Sequence, residues 1–364
     1  MPDRPFNRIL VLRLSALGDI LHTLPAAAAI RRAWPGCRIG WVAERHTAFL
    51  LEGSGIADTV HVIDTRSPRR SGSMAAGSRN LLRALWDIRR QKYQASLDFQ
   101  GLFKSAAIGA LCGIPYRSGH AAPFRREPSS SLLITRPVSP APSAVHVIEQ
   151  NNALVEALGL DPRPWTFPLP PVPREEIEVR KIVEEMALGE FAVLHPGAGW
   201  PTKIWAPRRW AELARRLPSE TGLTPLFTGG PGDVPLLEEI GSRMPGASFR
   251  QCQTSFLQLI PLFRRARLFV GGDTGPMQLA CALQTPTVAL FGPSTPRRNG
   301  PFAPEDISVH HPLPCSNCYF RRCPYKMECM NIEAGEVIQA IRDRLSRIRC
   351  ASSTQTTARA EPAP

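Results

Sequence analysis

Five times along this chain a short apolar run ends in a turn and gives way to a helical pattern. The clearest instance is Gly271-Gly272-Asp273-Thr274-Gly275-Pro276-Met277-Gln278-Leu279-Ala280, which follows the apolar residues 268–270. Pro276 suits the first turn of a helix, where its missing N–H removes no hydrogen bond. Such a turn leaves backbone N–H groups and the positive end of a helix dipole facing outward, which favours an anion. Asp273 and Thr274 on the same turn suit a phosphorylated ligand that also carries hydroxyls, such as a nucleotide sugar. An ordinary strand-to-helix turn is the other reading.

The alternation predicts an α/β fold with parallel sheets and helices on both faces. Before residue 160, strands are expected at 8–14, 38–42, 60–63 and 95–99, with helices at 20–34, 79–92, 105–111 and 144–158. Residues 161–173 hold six prolines and read as a stiff linker. The pattern then restarts, with strands at 191–195, 225–228, 268–270 and 287–291 and helices at 175–187, 210–217, 234–244 and 333–348. Two Rossmann-like domains facing each other across a cleft follow, spanning 1–165 and 174–332. A terminal helix at 333–349 and a disordered tail at 350–364 complete the expected chain. Ligands of such sheets bind beyond the carboxyl ends of the strands. That rule selects the turns at 15–19, 98–104, His195, Gly229 and Gly271.

Composition narrows the class. A hydrophobic content of 43% and a charged content of 21% fit a globular protein. No apolar run approaches the ~20 residues that span a bilayer, and residues 1–7 lack the apolar core of a secretion signal. A cytoplasmic protein is expected. The net charge of +13 comes without a zinc-finger spacing, an RNP-like pattern or an extended basic helix, which argues against nucleic acid. Arg66, Arg69, Arg70, Arg79, Arg83, Arg89, Arg90, Arg117, Arg125 and Arg126 instead suit an acidic substrate or an anionic membrane face, or form a solvated basic surface.

The turns carry the candidate chemistry. Asp19, in Leu17-Gly18-Asp19-Ile20, sits at a helix start, either as an N-cap or as a general base. The turn lacks both a GxGxxG fingerprint and a Walker loop. Gln100 and Lys104 follow the strand ending at Asp98 and are candidates to hold an acidic acceptor; Lys104 pairing with a neighbouring carboxylate is the alternative. His195-Pro196-Gly197 with Lys203 brings a cation to a phosphate, or is an exposed turn with a surface lysine. Asp233, after Gly229-Gly230, is placed to accept from ribose or base groups.

In combination these residues resemble the bacterial heptosyltransferases of glycosyltransferase family 9. The match runs from Gly18-Asp19 and Leu21-His22-Thr23-Leu24-Pro25 through Trp41 to Glu44 and Asp98 to Ser105. It continues with His195-Pro196-Gly197, Lys203, Trp205, Asp273-Thr274-Gly275, Ala280 and Phe291-Gly292-Pro293. The resemblance implies a GT-B fold whose last helix returns to the first domain. It also implies an ADP-heptose donor, an acidic lipid A-linked Kdo/heptose acceptor, and inversion without a metal or cofactor. Peripheral contact with the cytoplasmic face of the inner membrane follows from that acceptor. By matched position Asp19 is the catalytic base. Gly197, Lys203, Asp233, Asp273, Thr274, Gly275 and Gln278 fall at the donor site, and Gln100 and Lys104 at the acceptor site. Some family members have His where this chain has Gln278, and Gln carries no charge near neutral pH. The early motifs look more like the type that adds the first heptose. A nucleotide-sugar epimerase and a non-catalytic nucleotide- or lipid-binding module are the competing classes.

Cys315, Cys318, Cys323 and Cys329 are spaced C-x2-C-x4-C-x5-C. Four thiolates on one loop suit a structural thiophilic metal. The spacing lacks the two separated pairs of zinc sites, and a loop of reduced, partly buried thiols is the other reading.

Overall fold

The computed structural model describes residues 5–64, 74–244 and 249–357. Arg66, Arg69 and Arg70, the side chain of Arg79, and the tail from residue 358 lie outside what it describes. The chain divides into two compact units, Met1–Pro171 and Val172–Pro364, within the proline-rich stretch.

The first unit is built on a six-stranded sheet of β1 (Arg8–Leu12), β2 (Arg38–Glu44), β3 (Thr59–Ile63), β4 (Ala95–Asp98), β5 (Tyr116–His120) and β6 (Arg136–Val138). Its order is β3-β2-β1-β4-β5-β6, and every neighbouring pair is parallel. The central strand reads Arg-Ile-Leu-Val-Leu and is almost wholly buried, as a strand covered on both faces must be. Right-handed crossovers place helices Leu24–Ala33 and Arg45–Ala48 on one face. They place Met74–Arg90, Phe103–Leu111 and the 3-10 segment Pro128–Leu133 on the other. Leu10, Leu12, Val42, Ile88 and Ile108 form a core cluster between β-sheet and helices. Helix Val147–Glu156 packs on Leu24–Ala33.

The second unit repeats the plan. Its strands are β7 (Phe191–His195), β8 (Thr224–Gly229), β9 (Gln251–Gln253), β10 (Leu268–Gly272), β11 (Thr287–Phe291) and β12 (Ile307–His310). Their order is β12-β11-β10-β7-β8-β9, again all parallel. Numbered from its own first strand, each sheet reads 3-2-1-4-5-6, the dinucleotide-fold order. Helix Pro207–Thr221 opens on proline and stops at Gly222, whose φ of 78° is left-handed and suits glycine alone at low cost. Phe256–Arg265 opens with a reciprocal cap. The Ser255 N–H donates to Gln258 Oε1 at 2.8 Å, and the Gln258 N–H donates to Ser255 Oγ at 3.2 Å.

The last helix, Ala334–Thr357, continues into the stretch read from sequence as disordered. Residues 351–357 contain neither Gly nor Pro, so nothing local stops propagation. Within the second unit this helix packs on Pro207–Thr221, β11 and β12. Arg344 Nε donates to Asp306 at 2.7 Å, and the same carboxylate oxygen accepts from the Thr287 N–H at 2.9 Å. One buried carboxylate thus joins the helix to the sheet.

Candidate functional site

In a sheet of this order the strand direction of travel reverses between the first and fourth strands, and the turns beyond their carboxyl ends are free to bind a ligand. In the first unit these strands are β1 and β4; in the second they are β7 and β10. Asp19, Gln100 and Lys104 lie on the turns of the first pair. Gly197, Lys203, Asp273, Thr274 and Gly275 lie on the turns of the second.

In the first unit, β1 runs directly into Arg13. Its guanidinium is buried, donates through Nε to the Asp19 carbonyl at 3.3 Å and donates through Nη1 to the Phe99 carbonyl. Trp41 Nε1 donates to the Arg13 carbonyl at 3.0 Å. So fixed, Arg13 pairs with Asp19 Oδ1 at 3.0 Å, while Asp19 Oδ2 accepts the Ala16 N–H at 3.0 Å. The Asp19 side chain is 43% exposed against 8% for Arg13. Asp19 is thus not the N-cap, which is Ala16, but the third residue of helix Leu17–Leu21; its carboxylate accepts the Ala16 N–H and stays partly exposed.

Gln100 Oε1 accepts the N–H groups of Leu14 and Ser15 at 2.8 and 3.3 Å, bracing the β1 turn from the β4 turn. Asp98 closes its own turn, accepting from the N–H groups of Gln100 and Gly101 at 3.1 and 3.3 Å. The Asp98 carboxylate also pairs with Arg125, both side chains being buried. Lys104 Nζ pairs with Glu44 Oε1 at 3.0 Å; Lys104 is 40% exposed and Glu44 is buried. The pairing alternative for Lys104 is thus realised.

In the second unit, Lys203 Nζ donates to both the carbonyl and Oδ2 of Asp273, at 3.0 and 2.6 Å. Ser294 Oγ donates to the same Oδ2 at 2.6 Å. The Asp273 carboxylate therefore ties together the turns after β7, β10 and β11. Two of the three Nζ protons are spent, which leaves one donor for a ligand. The Trp200 ring lies 4.6 Å from Lys203 Nζ and 5.2 Å from the Arg321 guanidinium carbon. Thr274 takes an extended N-cap conformation, and helix Gly275–Ala282 begins behind it with Pro276 in its first turn. Gln278 is buried; its Nε2 donates to the Asn299 carbonyl at 2.7 Å, while its Oε1 has no hydrogen-bond partner.

Asp233 Oδ2 accepts the Gly230 N–H at 2.9 Å. A Cβ on Gly197 would fall 2.4–2.5 Å from the Asp233 carboxylate, so only glycine lets the β7 turn meet Asp233. Behind them His195 Nδ1 bonds Thr228 Oγ1 at 3.1 Å. Burial pushes the His195 imidazole down to about 4, against the opposing pull of Asp233. It is neutral at pH 7 and links β7 to β8.

Three contributors escaped the sequence reading: Arg13, Ser294 and the Trp200 ring. Arg13 had a visible signal, a cation interrupting the apolar run 9–14. Ser294 had none. The four clustered cysteines are unpaired and line one cavity of about 270 Å³ with Phe320 and Tyr325. Burial and the neighbouring Cys323, Cys315 and Cys318 raise the Cys329 thiol above its ordinary value. Among the described residues, no group of three or more His, Cys, Asp or Glu stands where it could hold a metal ion.

A family model described as glycosyltransferase family 9 (heptosyltransferase) matches residues 81–328. Lipopolysaccharide heptosyltransferase 1 of Pseudomonas aeruginosa is 27% identical over 320 residues, covering 88% of each chain. Among solved structures, a family 9 glycosyltransferase from Veillonella parvula superposes with a TM-score of 0.79 at 20% identity, over 94% of this chain and 98% of its own. An E. coli heptosyltransferase solved with ADP gives 0.72 at 23% identity, over 93% and 99%. The fold is that of the GT-B heptosyltransferases. With the family model covering most of the sequence and the matched motifs lying on the turns where such sheets bind ligands, the chain belongs to glycosyltransferase family 9.

Proposed function

We propose that this glycosyltransferase moves heptose from ADP-heptose to the Kdo/heptose inner core of a lipid A-linked acceptor, with inversion at the anomeric carbon. The observation that carries the reading is the division of chemistry between the two units. The first holds an oriented, solvent-facing carboxylate on its β1 turn, and the second a lysine beside a helix N-terminus. In this reading Asp19 takes the proton of the acceptor hydroxyl as its oxygen forms the new bond to the anomeric carbon. The bond from that carbon to the diphosphate oxygen breaks on the opposite side, and ADP leaves. Lys203 and the first N–H groups of helix Gly275–Ala282 meet the charge that develops on the leaving group. Asp233, Gly197 and Gln278 shape the rest of the donor site, and Gln100 and Lys104 the acceptor side.

The P. aeruginosa relative is named for the first heptosyltransferase type, which supports addition to Kdo as the step. Such an acceptor is anchored in a lipid, so the reading extends to peripheral contact with the cytoplasmic face of the inner membrane. No helix among the described residues is long and apolar enough to cross a membrane. The test is incubation with ADP-heptose and Kdo-lipid A, followed by mass analysis of the lipid. A gain of one heptose per lipid is expected. An altered nucleotide sugar, or free sugar, formed without acceptor would overturn the reading in favour of an epimerase or hydrolase.

A further inference from the structure

Every exposed large apolar side chain of the first unit, among the described residues, falls between residues 81 and 132. These side chains sit on the elements that connect β3 to β4, β4 to β5 and β5 to β6, which right-handed crossovers put on one face of the sheet. Helix Met74–Arg90 turns Ile88 into the core and leaves Leu82 and Trp86, one turn apart, 65% and 57% exposed. Helix Phe103–Leu111 exposes Phe103 and Leu111 at its two ends. The two helices are neighbours, since Cys112 Sγ donates to the Leu85 carbonyl at 3.5 Å. The segment Pro128–Leu133 packs on the second helix and carries Leu132, 85% exposed.

The charges on this face are mostly positive. Arg83, Arg89, Arg90, Arg126 and Lys104 are exposed, against the acidic Asp87 and Glu127. The Arg90 guanidinium lies over the Trp86 ring, 4.4 Å from its centroid. An indole with an arginine reaching past it suits a lipid–water interface, where the ring rests at headgroup level and the cation meets phosphate. Each such cation is attracted to an anionic surface, within a Debye length of it. Phe103 and Lys104 stand at the carboxyl end of β4, on the turn that braces the Asp19 loop. A bilayer on this face would deliver its emerging headgroup sugars to that end of the sheet.

We propose that this face, centred on Leu82, Trp86 and Leu111, docks on an anionic lipid bilayer. The proposal rests on the lipid-linked acceptor of the preceding reading, and its test separates the two. The full chain is sedimented with vesicles of phosphatidylcholine containing phosphatidylglycerol, and with phosphatidylcholine alone. Binding to the anionic vesicles is expected, weakened by high salt. The double variant L82S/W86S should bind on the order of tenfold or more weakly, from the apolar area it no longer inserts. Both side chains are exposed, so the fold should be kept by circular dichroism. Leu132→Ser, in a separate exposed segment, gives a smaller loss and serves should the double variant misfold. Failure of the wild type to bind, or equal binding by the variants, overturns the proposal. A dimer that the double variant disperses, with vesicle binding unchanged, overturns it in favour of a second copy of the chain. Turnover on a deacylated, water-soluble acceptor is measured in parallel and should be the same in wild type and variants. Its absence from the wild type would defeat the heptosyl-transfer reading, while the vesicle result would still decide the docking surface.

Discussion

The two units share one strand order but invert the ion pair at its centre. On the β1 turn the cation is the buried partner: Arg13 is 8% exposed and its carboxylate, Asp19, 43%. On the β7 and β10 turns the carboxylate is buried, Asp273 at 9%, beneath a lysine at 14% with a helix N-terminus alongside. A buried charge left without its partner is costly, so in each unit the inner member fixes the outer one. The first unit thus leaves its carboxylate the more exposed member of the pair, and the second its lysine. In the proposed reading one topology serves two halves of a group transfer, because the pair's orientation, and not the fold, sets the sign of the charge on offer.

The sharpest break of this comparison is Asp19→Asn. The amide keeps the shape and the contact to the Ala16 N–H but removes the basicity. Turnover should fall on the order of a hundredfold or more, with ADP affinity unchanged by titration calorimetry. Near-normal turnover would reduce Asp19 to a structural contact at the helix start and leave the first unit without a base.

The matching change in the second unit is Lys203→Ala. It should weaken ADP binding about tenfold, the usual scale for one charge-assisted hydrogen bond, and lower stability by leaving Asp273 buried with Ser294 as its remaining side-chain partner. Asp273→Ala should damage ADP binding through the same turns. Unchanged affinity in both variants would move the donor away from this turn and collapse the proposed division of labour.

Acid stability tests a smaller asymmetry. The His195 imidazole is held at about 4, below the ~6.5 of an unfolded histidine. As pH falls the unfolded chain takes up that proton first. The contribution is therefore whole above ~6.5 and is lost as pH falls towards 4, at most about 3 kcal/mol. His61 in the first unit is also lowered by burial, against the pull of Asp87. Thermal melts between pH 7 and pH 5 should lose more of their slope in His195→Asn than in His61→Asn. The reverse order would place the acid-sensitive element in the first unit.

Much of this arrangement could be read from the chain. The central strands are buried on both faces and show as apolar runs, which is why the turns beyond them were identifiable. β5, β6, β9 and β12 were not: Arg-Pro-Val, Gln-Cys-Gln and Ile-Ser-Val-His are short, partly exposed edge strands, and β5, Tyr-Arg-Ser-Gly-His, lies inside its sheet but carries no apolar run. They are strands because of the neighbour that pairs with them, and pairing is not local. Helix Phe256–Arg265 was missed although Ser255 and Gln258 spell its cap; Pro261 within it reads as a breaker. In the site, Asp19 and Lys203 were legible from their turns. That Gln100 spends its oxygen on the Leu14 and Ser15 N–H groups depends on β1 lying beside β4, an adjacency no spacing encodes.

The smallest expected effect is none at all. If Lys203 and backbone N–H groups meet the leaving-group charge, transfer should survive EDTA in freshly purified protein, with magnesium and manganese adding nothing. The comparison makes this a test of the second unit, whose Asp273 carboxylate is already held by Lys203 and Ser294 and whose turns offer a cation and helix N–H donors. Loss of activity without unfolding, restored by magnesium or manganese, would break that account. The cysteine loop supplies the control, because its four thiols line a cavity that abuts these turns at Thr202, Gly292 and Pro293 but is lined by neither Asp273 nor Lys203. Elemental analysis should accompany the assay. Loss that comes with unfolding and is restored by zinc would assign the metal to Cys315, Cys318, Cys323 and Cys329 as a structural ion, and would leave the proposed handling of the leaving group intact.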